Sequence, residues 1–268
     1  MSSSVPSDLL ATIISGTRKS KSAREGQHSI EELESLAGSR SPKGQMFWER
    51  LSRTKTINVI AECKRRSPSK GLLTTNYDPI GLATEYENHG AAAVSVLTEP
   101  TFFDGSIEHL RAVSESVDIP VLCKDFIVSE YQLFEACIAG ADAVLLIVAA
   151  LDQQMLLQLL RRVELLGMAA LVEVHDLGEL ERAIRAEASI VGVNNRNLRT
   201  LEVVVETSES LIKHVPNTIV SVAESGLGDQ ASVLALRDIG YKGFLIGEAL
   251  MSSASPGLAL SEFVQGTT

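Results

Sequence analysis

Ile57-Asn58-Val59-Ile60-Ala61-Glu62-Cys63-Lys64 is mostly apolar until its end, where it turns charged. A strand buried on both faces reads as a continuous apolar run. A Glu and a Lys at the finishing end of such a strand must therefore point into something other than packed core. Three further runs repeat the form: Pro120-Val121-Leu122-Cys123-Lys124-Asp125, Ala170-Leu171-Val172-Glu173-Val174-His175 and Ile190-Val191-Gly192-Val193-Asn194. When several parallel strands stop on polar groups together, the mouth they share is the expected active site of a closed α/β barrel. The pattern is that of an enzyme.

From residue 57 onward such runs alternate with helical periodicity through eight cycles, with strands near 57, 92, 119, 142, 169, 189, 218 and 243. Eight is the number that closes a barrel, and the spacing in most cycles leaves room for one strand, one crossover helix and two short loops. An open doubly wound sheet is the structural rival, but no G-x-G-x-x-G turn follows the first strand. The expected fold is α/β: a (β/α)8 TIM barrel over residues 57–268, with residues 1–56 as an N-terminal helical extension of the same single domain. At 268 residues the chain has the length of one such barrel, which runs to about 250 residues.

Helix punctuation agrees. Asp78-Pro79 puts a capping side chain before a proline at the first helical position, and Gly90 ends that helix. Ser129 to Gln132 has capping-box spacing, with a stop at Gly140. Asp152 and Gly167 bracket a helix with Met155, Leu156, Leu159, Leu160 and Val163 on one stripe, and Asp229 and Gly240 bracket another. In the extension, Leu9 to Ile14 and Ile30 to Leu36 read as helices joined by the polar stretch Lys19 to His28, with Trp48 expected to pack within it.

The net charge of −10 argues against general nucleic-acid binding, since a polyanion would be repelled. Cys63, Cys123 and Cys137 are odd in number and lack metal-ligand spacing, so neither a disulfide framework nor a metal site is expected. Cys63 and Cys123 alternate away from the strand-end lysines and read as packing residues. The N-terminus lacks the basic start and apolar core of a signal peptide, and the most apolar window, Ala143 to Leu151, is far shorter than the roughly 20 residues of a membrane span. A soluble, cytoplasmic protein without membrane partners, monomeric or a weak homodimer, is the expectation.

Period-2 alternation puts Glu62 and Lys64 on one inward face; Lys124 and Glu173 join them from other strands. Carboxylates among ammonium groups provide acid and base functions tunable for proton transfer near neutral pH. A purely structural ion-pair cluster is the bland alternative. Ala223-Glu224-Ser225-Gly226 after the seventh strand and Ile246-Gly247-Glu248-Ala249 after the eighth supply small residues whose N–H groups can approach an anion, as the last two loops of such barrels commonly do for phosphate. The competing explanation for Gly226 and Gly247 is a turn that needs positive φ.

Taken in order, the strings Ile60 to Ser69, Val96-Leu97-Thr98-Glu99-Pro100 with Phe103-Asp104-Gly105-Ser106, Leu122 to Phe126, Gly192 to Leu198 and Ala223 to Gly226 closely resemble the indole-3-glycerol phosphate synthase family, over about residues 57 to 252. The resemblance implies a cofactor-free step of tryptophan biosynthesis on a small phosphosugar-anthranilate substrate, 1-(2-carboxyphenylamino)-1-deoxyribulose 5-phosphate, with ring closure, loss of CO2 and dehydration. It implies Lys124 as the general acid toward the ketone oxygen, Lys64 as a substrate-holding and assisting group, and Glu173 and Glu62 as candidates for proton transfer in the dehydration. Asn194 would orient these groups and Glu224 would fix the lysines. Ser67 and Arg196 would hold the anthranilate carboxylate, Phe103 and Phe126 its ring, and Ser225, Gly226, Gly247 and Glu248 the phosphate end. Burial and neighbouring charge are expected to move a lysine pKa toward neutral. Family members often use the extension as part of a lid, yet the first 45 residues here hold no Trp, Phe or Tyr to stack on substrate. The chain ends soon after the eighth unit, so a single activity is expected. Two other readings are a related phosphosugar barrel enzyme such as phosphoribosylanthranilate isomerase, which works with a Cys/Asp pair and releases no CO2, and a non-catalytic phosphosugar-binding scaffold.

Overall fold

The computed structural model describes residues 8–265. Eight parallel strands close into a barrel: β1 (Asn58–Cys63), β2 (Ala93–Leu97), β3 (Val121–Lys124), β4 (Ala143–Ile147), β5 (Ala169–Val174), β6 (Ile190–Asn194), β7 (Val220–Glu224) and β8 (Gly243–Ile246). β1 pairs with both β2 and β8, so no edge is left open. Seven of the eight strands are buried or nearly so along their length, as strands covered by helices must be. In β3 only the terminal Lys124 is less than fully buried, the expected place for a group that faces the mouth.

Register aligns the functional ends. Leu97 lies opposite Lys124, Ile147 opposite Glu173, and Asn194 opposite Glu224, so polar residues from separate strands reach one level at the C-terminal rim. Helical punctuation follows the sequence reading at Asp78, Asp152 and Asp229, whose side chains accept from the N–H groups of Gly81, Met155 and Ser232. Ser129 departs from it. Its hydroxyl makes no capping bond and, among the described residues, is buried without a partner, while Gln132 accepts from Val128 N at 3.0 Å and donates to Phe126 O at 3.0 Å.

The extension also differs from expectation. α1 (Leu9–Glu25) continues through much of the polar stretch that reads as a connector. The reason lies in side-chain pairing: Lys21 bonds Glu25 one turn on at 2.8 Å, and Arg24 grips Glu135 of the helix Glu130–Ile138 through two bonds at 2.6 and 2.9 Å. α2 (Ile30–Ala37) falls where the sequence places it. A third helix, α3 (Gly44–Leu51), goes beyond the sequence reading; it carries the fully buried Phe47 and Leu51, and Gly44 N donates to Gly167 O beside the start of β5. Trp48 lies on it, half-buried against the core.

Candidate active site

The strand ends open into a cavity of about 540 Å³ lined by all fourteen residues singled out from sequence, from Glu62 to Glu248. Lys124, from the end of β3, is central: its Nζ lies 3.7 Å from Glu173 Oε2 and 4.0 Å from Glu224 Oε2. Glu62 and Lys64 form an ion pair on the β1 side. Asn194 turns its Oδ1 to accept from Arg196 N at 2.9 Å, which fixes the start of the loop after β6. Glu62, Glu173, Asn194 and Glu224 are all buried, so these charges interact through protein rather than water.

Electrostatics follow from that burial. Burial alone favours a neutral Lys124, but Glu173, Glu224 and Glu62 outweigh it and hold the ammonium above its ordinary pKa. The expectation of a lysine shifted toward neutrality is therefore overturned: three carboxylates converge on one cation. Burial likewise opposes ionisation of Glu62, yet Lys64 and Lys124 keep it below the usual carboxylate range. Glu173 also stays ionised, because Lys124 and His175 overcome its burial. Glu224 takes the opposite course, pushed well up by burial and then by Glu173. The two adjacent carboxylates are thus driven in opposite directions, Glu173 down and Glu224 up, and they titrate as a pair.

Around this centre, Ser67 sits on a two-stranded turn after β1, with Arg66–Ser67 pairing antiparallel to Gly71–Leu72, and its hydroxyl accepts from Lys70 N at 3.2 Å. Phe103 and Phe126 face each other with ring centroids 6.1 Å apart, forming an apolar wall. Arg196 donates to Leu201 O at 3.2 Å and reaches Glu248 at 3.4 Å, while Lys70 approaches the other Glu248 oxygen at 3.5 Å. Glu248 thus meets the cations of two loops rather than standing free. Ser225 and Gly226 both have positive φ, 65° and 78°, so the conformational explanation holds for Gly226. It fails for Gly247, whose φ is −127°. A Cβ there would overlap Glu62 Oε2 and come within 3.0 Å of Lys64 Nζ, so close approach to the charged pair dictates glycine.

Several contributors lie beyond the sequence reading. Leu9 and Ile13 of α1 line the cavity with aliphatic side chains. The apolar spacing of Leu9, Leu10, Ile13 and Ile14 is the signal that could have found them. Gly192, inside β6, leaves the space that Glu224 fills, for a Cβ would overlap Glu224 Oε1. A glycine within a strand is a sign of such close approach. Asp125 lines the cavity beside Lys124, and its carboxylate is held by Thr98 Oγ1 at 2.5 Å and Phe126 N at 2.7 Å.

Comparison with known proteins gives one answer at the level of sequence. The indole-3-glycerol phosphate synthase profile matches residues 10–263. A protein named indole-3-glycerol phosphate synthase from Parafrankia sp. (strain EAN1pec) is 49% identical over 260 residues, covering 97% of this chain and 96% of its own. One of the same name from Kineococcus radiotolerans is 46% identical over 259 residues, covering 96% and 94%. The solved structure of KGPDC from Streptococcus mutans superposes with a TM-score of 0.60 at 12% identity over 78% of this chain and 95% of that one, which speaks for the barrel fold alone. With a matching profile along nearly its whole length and relatives close to half identical, the chain belongs to the indole-3-glycerol phosphate synthase family.

Proposed function

We propose that the mouth converts 1-(2-carboxyphenylamino)-1-deoxyribulose 5-phosphate into indole-3-glycerol phosphate, CO2 and water, and that its residues divide the work by charge. The single observation carrying this reading is the Lys124 ammonium, buried among Glu173, Glu224 and Glu62 at the floor of the cavity. An ammonium held above its ordinary pKa is a poor acid toward a resting ketone and an effective one toward a developing alkoxide. Its proton therefore moves as charge builds on the oxygen, an interaction made mainly in the transition state.

The ring carbon bearing the carboxylate attacks the ketone carbon, and the ketone oxygen takes the proton from Lys124. CO2 then leaves, its bonding pair restoring the aromatic ring. Dehydration expels the new hydroxyl as water, its second proton coming from the Lys64 ammonium, and removes a proton from the carbon next to nitrogen. Glu173 suits the proton removal, because once Lys124 has given up its own proton, one of the two cations that kept Glu173 ionised is gone and its basicity rises. Lys64, paired with Glu62 beneath Gly247, supports the substrate anion and the departing oxygen. Arg196 and Ser67 attract the carboxylate, Phe103 and Phe126 flank the ring, and the turn from Ser225 to Gly226 with Gly247 and Glu248 receives the phosphate end.

The test is direct. Purified protein incubated with the carboxyphenylamino substrate should develop indole fluorescence in step with CO2 release. Turnover without CO2, or binding without turnover, would favour the isomerase or scaffold reading instead.

A further inference from the structure

We infer that His175 and Glu179 form a positioning pair behind Glu173, fixing its carboxylate toward Lys124 and keeping it charged for proton transfer. The inference rests on the proposed role of Glu173 and adds two residues to it. His175 is the first residue after β5, and alternation puts its side chain on the inward side with Glu173. Its Nε2 lies 3.4 Å from Glu173 Oε1, the oxygen turned away from Lys124. Its Nδ1 lies 3.0 Å from Glu179 Oε2, which also accepts from His175 N at 2.8 Å. Glu179 is itself held by the first turn of the helix Leu177–Arg185, where its N–H donates to the capping Asp176 at 2.8 Å. The order is thus Glu179, His175, Glu173, Lys124, with opposite charges alternating.

His175 does not border the cavity, so it acts through Glu173 rather than on substrate. An imidazole with a carboxylate at each nitrogen favours the imidazolium, whose two N–H groups suit two acceptors. Burial works against that charge, but Glu173 and Glu179 outweigh it and raise the His175 pKa to about 10. The groups facing Glu173 are Glu62 from β1, Lys124 from β3, Asn194 from β6, Glu224 from β7 and His175 itself. Lys124 is shared among three carboxylates, whereas the His175 cation faces only Glu173 and Glu179. Its loss should therefore weaken the hold on the Glu173 charge and raise the pH at which Glu173 takes up a proton.

The experiment compares His175→Leu, His175→Gln and Glu179→Gln with the parent in kcat and KM across pH, beside Glu173→Gln as a control. His175→Leu should lower kcat on the order of tenfold with KM within about twofold, and move the acidic limb of kcat upward by roughly 1 unit, the low end of what one adjacent charge does. His175→Gln keeps a donor without the charge, so it should recover part of kcat and still show the moved limb. Glu179→Gln should move the limb the same way by less. A purely structural role would lower kcat and stability with the limb unmoved, and that result overturns the inference while an inactive Glu173→Gln leaves the role of Glu173 standing. An active Glu173→Gln would instead remove the premise.

Discussion

At the lower end of the barrel Asn58 is buried with every polar atom engaged: its Nδ2 donates to Leu51 O, Arg53 O and Lys242 O at 3.1, 2.8 and 2.7 Å, and its Oδ1 accepts from Thr56. At the same end, Asp142 accepts from Lys43 N at 2.8 Å and Val121 N at 3.0 Å. At the upper end, Glu173 and Glu224 are as deeply buried, yet among the described residues both Glu173 oxygens and Glu224 Oε1 have no hydrogen-bond partner, and these carboxylates depend on charges 3.4 to 4.0 Å away. A buried polar group without a partner is unfavourable. The lower end ties the closing helix α3 to the strands, and the upper end keeps its polar groups available for another molecule. Stability and activity should accordingly respond to substitution at opposite ends.

The largest effect is expected at Lys124. Lys124→Met keeps most of the stem and deletes the acid, so kcat should fall on the order of 10² to 10⁴ while KM changes little. The carboxylates left around it can take up protons, so the variant should still fold. Steady-state fluorescence assays check this, and turnover within a few fold of the parent would shift the acid to Lys64.

Asn58→Ala should do the reverse. The two N–H donors that three buried carbonyls share are lost, a destabilisation on the order of 3 kcal/mol seen as a lower denaturant midpoint, with kcat unaltered in the folded fraction. An equal loss of kcat would mean that the two ends are not separable.

Glu224→Gln sharpens the contrast, because here replacing a carboxyl whose ionisation its surroundings oppose should stabilise. Burial followed by Glu173 raises this carboxyl well above its ordinary pKa. Between that ordinary range and the raised value the folded chain keeps a proton the unfolded chain has released, so stability falls as pH rises through the window. Gln cannot lose a proton there. At neutral pH Tm should therefore rise while kcat falls. The gain should vanish as pH drops through the ordinary carboxylate range; a gain that persists in acid would have another origin.

The same contrast explains what is legible from residues alone. Strands that end on Glu62, Lys64, Lys124, Glu173 and Asn194 break the apolar pattern, and a broken pattern is visible in sequence. α3 is hidden because its eight residues mix Gly44, Gln45, Glu49 and Arg50 with only a few core side chains, and its helicity comes from docking under the barrel. His175 reads only as the end of a run, since its pairing with Glu179 needs the strand-to-helix turn to bring them together. The direction of the Lys124 shift depends on three carboxylates from three other strands, a spatial sum that no linear spacing contains.

The smallest effect should come from α1, which reaches the mouth from outside the barrel. Leu9 and Ile13 are buried and line the cavity, but they sit on a helix whose inner stripe is only four residues long. Asp8, which caps this helix, pairs with Arg199 on the loop after β6, and an exposed pair of this kind contributes about 0–1 kcal/mol. The apolar stripe must therefore do most of the holding. Ile13→Ala removes three carbons of buried side chain at roughly 0.8 kcal/mol each, part of which is recovered by repacking. The remainder should loosen one wall of the cavity and raise KM roughly 3- to 10-fold, with kcat little changed because no charged group moves. Arg199→Ala should raise KM by less than Ile13→Ala. Substrate titrations of both variants check the order, and a KM for Ile13→Ala equal to that of the parent would show that α1 covers the mouth without contributing to binding.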